Sequence, residues 1–202
     1  VISQMKTYKI NEIFYSLQGE GGRAGEPSIF VRFSKCNETC KIETHGFDCD
    51  TEFTSGTEMT LNQINTAIDE LASKCKWLVL TGGEPGLQVD TEFINFFKNL
   101  GYKLAIETNG TIALPNGLDW ITLSPKVAEH ALRQKTASEI KYVRAHGQAL
   151  PEPLCKAELK YISPAWSADG LERKHLDWCI KLCENNPEWR LSCQQHKWWQ
   201  VH

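Results

Sequence analysis

Residues 76–110, KWLVLTGGEPGLQVDTEFINFFKNLGYKLAIETNG, decide the fold. An apolar run ends in a Gly-Gly-Glu-Pro turn, a stretch opened by Asp90 and closed by Gly101 follows, and a second apolar run ends in Glu-Thr-Asn-Gly. Short apolar runs between turn residues are strands buried on both faces, as in a parallel sheet. The segment between them has helix length; Asp90 can accept from its first unpaired N–H groups and Gly101 can end it in a left-handed conformation. Two parallel strands joined by a helix form a right-handed crossover unit.

Similar runs recur outward from this unit. Residues 27–34, 76–82, 102–110, 119–125, 138–143, 157–164 and 188–194 read as strands. Residues 60–74 read as a helix, with Leu61, Ile64, Ile68 and Leu71 three or four apart and Thr60 as N-cap, and 170–187 as another that ends before Pro187. Such alternation predicts an α/β domain built as an open sheet or a whole or partial (β/α) barrel, with ligands at the carboxyl ends of the strands. Five polar signatures stand there: Ser34-Lys35-Cys36, Thr81-Gly82-Gly83-Glu84-Pro85, Glu107-Thr108-Asn109-Gly110, Ser124-Pro125-Lys126 and Ser163-Pro164. They are expected to share one rim.

The chain has 202 residues, 41% of them hydrophobic, with no repeat, low-complexity tract or linker, so residues 1–202 are expected to form one domain. A formal charge of -3 with both signs interspersed leaves no basic surface for a nucleic-acid backbone. No run approaches the ~18–20 apolar residues of a membrane span, and the first residues lack the charged and apolar regions of a signal peptide. A soluble, cytoplasmic protein is expected.

Eight cysteines without a secretory signal point to reduced thiols, metal binding or burial. Cys75, Cys155 and Cys193 sit where small buried hydrophobes belong, and Cys179 and Cys183 share a helix face with no third ligand nearby. Cys36, Cys40 and Cys49 differ: they lie in the one long irregular insert, at about 34–58, separated by three and then eight residues. Three thiolates close a tetrahedral zinc site only with a fourth ligand, which His45 could supply, and they equally suit an iron-sulfur cubane with one iron left open. The Gly-Gly-Glu-Pro turn by itself is a tight turn; its glycines would let backbone approach a ligand, and Glu84 and nearby carbonyls could accept from an ammonium.

Three cysteines after one strand and GGEP after the next resemble the radical S-adenosylmethionine superfamily. The order and spacing of SLQGEG, CDTEF, VLTGGEP, IETNGT, ITLSPK, EIKYV and RLSCQQHK, from about residue 10 to the end, resemble more closely its family of 7-carboxy-7-deazaguanine synthases. The resemblance implies a partial (β/α) barrel with an inserted cluster loop. It implies a 4Fe-4S cluster on Cys36, Cys40 and Cys49, S-adenosylmethionine on its open iron, and Mg2+ on Thr51. The implied reaction is radical ring contraction of 6-carboxy-5,6,7,8-tetrahydropterin to 7-carboxy-7-deazaguanine and ammonia, in queuosine-type biosynthesis.

By the same resemblance Leu17, Gln18, Gly19, Glu20, Arg32, Thr81 and His196 bind the substrate. Gly83, Glu84, Glu107, Ser124, Pro125, Lys126, Ser163, Pro164, Ala165 and Trp166 bind S-adenosylmethionine. The residue types suit these roles: amide and carboxylate groups read a pterin edge, and the planar fork of Arg32 pairs with a carboxylate. A flavodoxin or ferredoxin would supply the electron, and the family suggests a homodimer. Two features depart from the usual pattern: the second and third cysteines are six residues further apart, with Phe47 displaced from its place before the third, and Ser163-Pro164 stands where Gln-Pro is common. The alternatives are a radical-generating activase and a zinc-binding interaction module.

Overall fold

The computed structural model describes residues 6–49, 52–72, 74–167 and 169–202. In chain order, its strands are β1 (Tyr8–Leu17), β2 (Pro27–Phe33), β3 (Thr57–Met59), β4 (Trp77–Gly82), β5 (Lys103–Thr108), β6 (Trp120–Leu123), β7 (Thr136–Arg144), β8 (Lys156–Pro164), the hairpin β9 (Trp166–Ser167) and β10 (Gly170–Leu171), and β11 (Arg190–Leu191). Its α-helices are α1 (Ile42–His45), α2 (Leu61–Ala72), α3 (Thr91–Asn99), α4 (Arg173–Asn185) and α5 (Gln195–Trp199). Among the described residues no helix is long and apolar enough to cross a membrane.

Nine strands form one sheet in the order β11-β8-β7-β6-β5-β4-β2-β1-β3, and from β2 to β11 every pairing is parallel. This is the mixed α/β, mostly parallel architecture expected of a partial barrel. The sequence reading missed its antiparallel edge: β1 pairs with β2 on one side and β3 on the other. The three helices read from the sequence form as α2, α3 and α4, and the short α1 and α5 were not read from it. Crossovers from β5 to β8 carry only turns and a single 3-10 turn, Glu129–Ala131, so the helical cover comes from α2, α3 and α4.

Strand parity divides the sheet into two faces. On β2, β4 and β5, Ile29, Val31, Phe33, Leu78, Leu80, Leu104 and Ile106 pack outward with Ile64, Ile68, Phe93 and Phe97 of the helices. The alternate residues Phe30, Val79 and Ala105 fill the base of the inner face. Two positions further along these strands, the inner face therefore presents Arg32, Thr81 and Glu107. A second outer core joins Ile140, Tyr142 and Ile162 to Cys179 of α4, which leaves Glu139, Lys141 and Ser163 on the inner side.

The helix ends behave as their sequences imply. Gln63 N–H donates to Thr60 Oγ1 at 3.4 Å while Gln63 Oε1 accepts from Thr60 N at 2.8 Å, a reciprocal cap. Asp90 Oδ1 accepts from Phe93 N at 2.9 Å and from the Tyr8 hydroxyl at 3.1 Å. Asp90→Ala is expected to lower stability by about 1–2 kcal/mol in urea denaturation, because it removes both an N-cap and a tie to β1.

Candidate active site

The inner face opens into a cavity of about 400 Å³. Residues from all five polar signatures line it: Cys36 after β2, Gly82 and Gly83 after β4, Thr108 and Asn109 after β5, Ser124 and Lys126 after β6, and Ser163 and Pro164 of β8. Leu17, Gln18, Gly19, Glu20, Arg32, Thr81, Glu107, Trp166 and His196 line it as well. Among the described residues, three assigned from the resemblance do not. Pro125 faces a smaller neighbouring cavity, Ala165 is buried, and Glu84 is fully enclosed beneath the rim.

Glu84 serves the frame of the site. Its carboxylate accepts from Thr108 Oγ1 at 2.7 Å, Asn109 N at 2.7 Å and Gly86 N at 2.8 Å, tying the turn after β4 to the turn after β5. Burial pushes its carboxyl above the usual range, and the three donors pull it partly back. The glycines before it answer first to backbone crowding. A Cβ on Gly82 would lie 2.3 Å from Phe33 O, and one on Gly83 would lie 2.0 Å from Lys35 O. Gly83 N donates to Phe33 O at 3.0 Å and Glu84 N to Lys35 O at 2.9 Å, so the cysteine loop starts on the GGEP backbone itself.

Cys36, Cys40 and Cys49 line one end of the cavity, and no disulfide joins any of the eight cysteines. Burial pushes the Cys36 and Cys40 thiols up, and the neighbouring thiols raise them further. Binding there must therefore release protons, as metal binding to thiols does. His45 does not complete a zinc set: its Nδ1 accepts from Lys41 N at 3.2 Å and lies 2.7 Å from Thr44 Oγ1, while Nε2 sits 3.1 Å from Lys126 O. Among the described residues no three His, Cys, Asp or Glu groups converge on one metal-sized point. Three soft thiol donors lining one cavity suit an iron-sulfur cluster that keeps one iron for another ligand.

The residues between Cys40 and Cys49 have their own anchorage. Helix α1 docks through His45 onto the turn after β6, and His45 O accepts from Gln148 Nε2 at 3.0 Å. Phe47 enters the cavity wall, with the Lys126 ammonium 4.9 Å from its ring centroid. Thr51, the expected Mg2+ ligand, lies outside the described residues.

At the opposite end a polar lattice holds the loop after β1. Gln18 Nε2 donates to Glu107 Oε1 at 2.9 Å, Thr81 Oγ1 to Glu107 Oε2 at 2.8 Å, and Glu20 N to Gln18 Oε1 at 3.1 Å. Arg32 Nε stands 3.3 Å from Glu12, with its guanidinium 5.4 Å from the Phe14 ring centroid. Gly19 packs directly under His196, where a Cβ would fall 2.1 Å from Nδ1. Burial holds the His196 imidazole below its ordinary range, which keeps it neutral at pH 7.

Glu139 and Lys141 were not singled out from the sequence. Glu139 accepts from Gly22 N and Thr122 Oγ1, each at 2.7 Å, and Lys141 forms an ion pair with Glu20. Their signal was in the strand period: in EIKYV, two ionisable residues alternate with Ile140 and Tyr142, so both must point to the inner face. Burial would raise the Glu20 carboxyl, but the Lys141 ammonium outweighs it and holds it below the usual carboxylate range.

A mostly parallel partial barrel with three thiols at the rim after its first parallel strand defines a class, the single-cluster iron-sulfur proteins. Residues 17–143 match the family described as 4Fe-4S single cluster domain. The chain is 37% identical to the 7-carboxy-7-deazaguanine synthase of Caulobacter vibrioides, over 95% of this chain and 98% of the relative. It is 38% identical to that of Bradyrhizobium diazoefficiens, over 95% and 97%. The chain belongs to the 7-carboxy-7-deazaguanine synthase family. The crystal structure of QueE from Escherichia coli shares the fold, with a TM-score of 0.72 and 24% identity, covering 94% of this chain and 95% of that one. Family membership sets aside the activase and zinc-module readings.

Proposed function

We propose that this chain converts 6-carboxy-5,6,7,8-tetrahydropterin into 7-carboxy-7-deazaguanine and ammonia. The observation that carries the reading is one cavity with three thiols at one end and the Gln18–Glu107–Thr81 lattice at the other, bounded by Gly83 and Ser124. A 4Fe-4S cluster with S-adenosylmethionine, when bound, would supply the radical chemistry of the ring contraction. Cys36, Cys40 and Cys49 hold the cluster, while Gly83, Ser124, Lys126, Ser163, Pro164 and Trp166 border the space for S-adenosylmethionine.

The protein's own work is binding, orientation and charge. Leu17, Gln18, Gly19 and Glu20 face the pterin edge, and Thr81 and His196 close on the ring. Arg32 exchanges its partial, half-exposed pairing with Glu12 for the substrate carboxylate, to which its planar fork is better matched. Thr51 contributes an oxygen to Mg2+, with the remaining ligands from substrate and water. A flavodoxin or ferredoxin delivers the electron; the working form is a cytoplasmic homodimer.

The test is anaerobic incubation of reconstituted protein with reductant, S-adenosylmethionine, Mg2+ and the carboxypterin, followed by mass spectrometry. The deazaguanine acid is the expected product. Cleavage of S-adenosylmethionine without conversion of the pterin would overturn the substrate assignment and leave the cluster chemistry standing.

A further inference from the structure

Lys141 has no part in the assignments above, yet it lies on the cavity floor, 8% exposed, with its ammonium paired to Glu20. It projects from β7 across to the loop after β1, and Glu107 of β5 and Glu139 of β7 also act on it. Glu20 in turn faces His196 of α5 and lies near Cys193. One ammonium thus stands among three carboxylates. Glu139 is occupied by Gly22 and Thr122, and Glu107 by Gln18 and Thr81, whereas Glu20 is the carboxylate that Lys141 holds directly.

We propose that Lys141 is a positioning and specificity-determining residue, acting through Glu20. By fixing Glu20 as a charged, acceptor-only group in the floor, it makes the site select heterocycles that present N–H donors there, such as a 2-amino-4-oxopyrimidine edge, and reject those that present a carbonyl. This rests on the reading of the cavity as a pterin site. The physical basis is that a carboxylate accepts at both oxygens, whereas a buried carboxyl without its cation takes up a proton and becomes a donor. The ion pair keeps Glu20 on the ionised side throughout neutral pH.

The experiment measures binding of the carboxypterin, and of an analogue with a carbonyl in place of the 2-amino group, to holoenzyme carrying cluster and S-adenosylmethionine. Equilibrium dialysis over roughly pH 6 to 9 spans the range in which an ordinary carboxylate stays ionised. Wild-type affinity should be flat with pH, with the analogue rejected by about 100-fold or more, because its carbonyl would face a carboxylate. Lys141→Met should weaken carboxypterin binding by about 10- to 100-fold at pH 7, recover as pH rises, and lose most of the discrimination. Lys141→Arg, which keeps the charge, should restore the flat profile and bind within about tenfold of wild type.

A Lys141→Met protein with wild-type affinity, selectivity and pH profile would overturn the proposal. Should that variant fail to fold, Glu20→Gln carries the test: it keeps Lys141 and should lose the same selectivity, and wild-type selectivity in it would be equally fatal. Wild-type holoenzyme that binds no carboxypterin would overturn the reading of the site itself. Normal wild-type binding with unaffected variants removes only the role of Lys141.

Discussion

Replacing Cys49 with alanine should yield a folded, colourless protein that makes no detectable product. Cys49 is exposed at the far end of the cysteine loop and belongs to none of the apolar cores. Its loss should therefore change unfolding free energy by no more than about 0.5 kcal/mol. Cluster retention is another matter, since a cubane with one open iron has no protein ligand to spare. Iron and sulfide content and visible absorption after anaerobic reconstitution check the first part, and mass spectrometry the second. Cys179→Ala is the matched control: that residue is fully buried on the inner side of α4, packed into the second core, so the variant should keep its colour while losing stability.

Glu84→Ala should be the costliest substitution at the rim, although Glu84 does not line the cavity. It leaves the Asn109 and Gly86 N–H groups and the Thr108 hydroxyl without their acceptor in a site closed to water. Buried orphaned donors cost about 1–3 kcal/mol each, and with partial relaxation the total should reach about 3–5 kcal/mol, read from urea denaturation. Cofactor binding should fall with it, because Gly83 is placed by the same turn. A variant with wild-type stability that fails only in S-adenosylmethionine binding would instead make Glu84 a direct cofactor ligand.

The sequence made the parallel half of the sheet legible because both-face burial writes continuous apolar runs such as WLVL and KLAI. β1 was harder to see. Its inner face mixes Glu12, which pairs with Arg32, with Phe14, which stacks on Phe30, and short β3 pairs only its first residues, so NEIFYSL shows neither a continuous run nor a clean alternation. The crossovers after β5 carry no α-helix because they hold turn residues such as Pro115, Asn116 and Gly117 where an amphipathic segment would be needed.

For the site, residue type and place in the chain were enough to gather the rim, but not to say which way each group points. GGEP is the plainest instance. Read alone, its glycines suggest close approach to a ligand and its glutamate an ammonium acceptor; in the fold, the glycines make room for Phe33 and Lys35, and the glutamate joins two turns. Long-range partners of this kind leave no local mark. Lys141 and Glu139 did leave one, in the alternation of EIKYV, and a face assigned by parity would have found them.

The cysteine loop leaves the sheet at Phe33 and re-enters it at Thr57, and both residues pair with Ile10 from opposite sides. Its ends are thus held about 10 Å apart, two strand spacings, whatever lies between them. Under that constraint the entropy of closure grows only with the logarithm of length, so six extra residues between the second and third cysteines cost about 0.3 kcal/mol. Chain length in this loop is therefore nearly free to drift over generations, while the two strand ends that frame it are not.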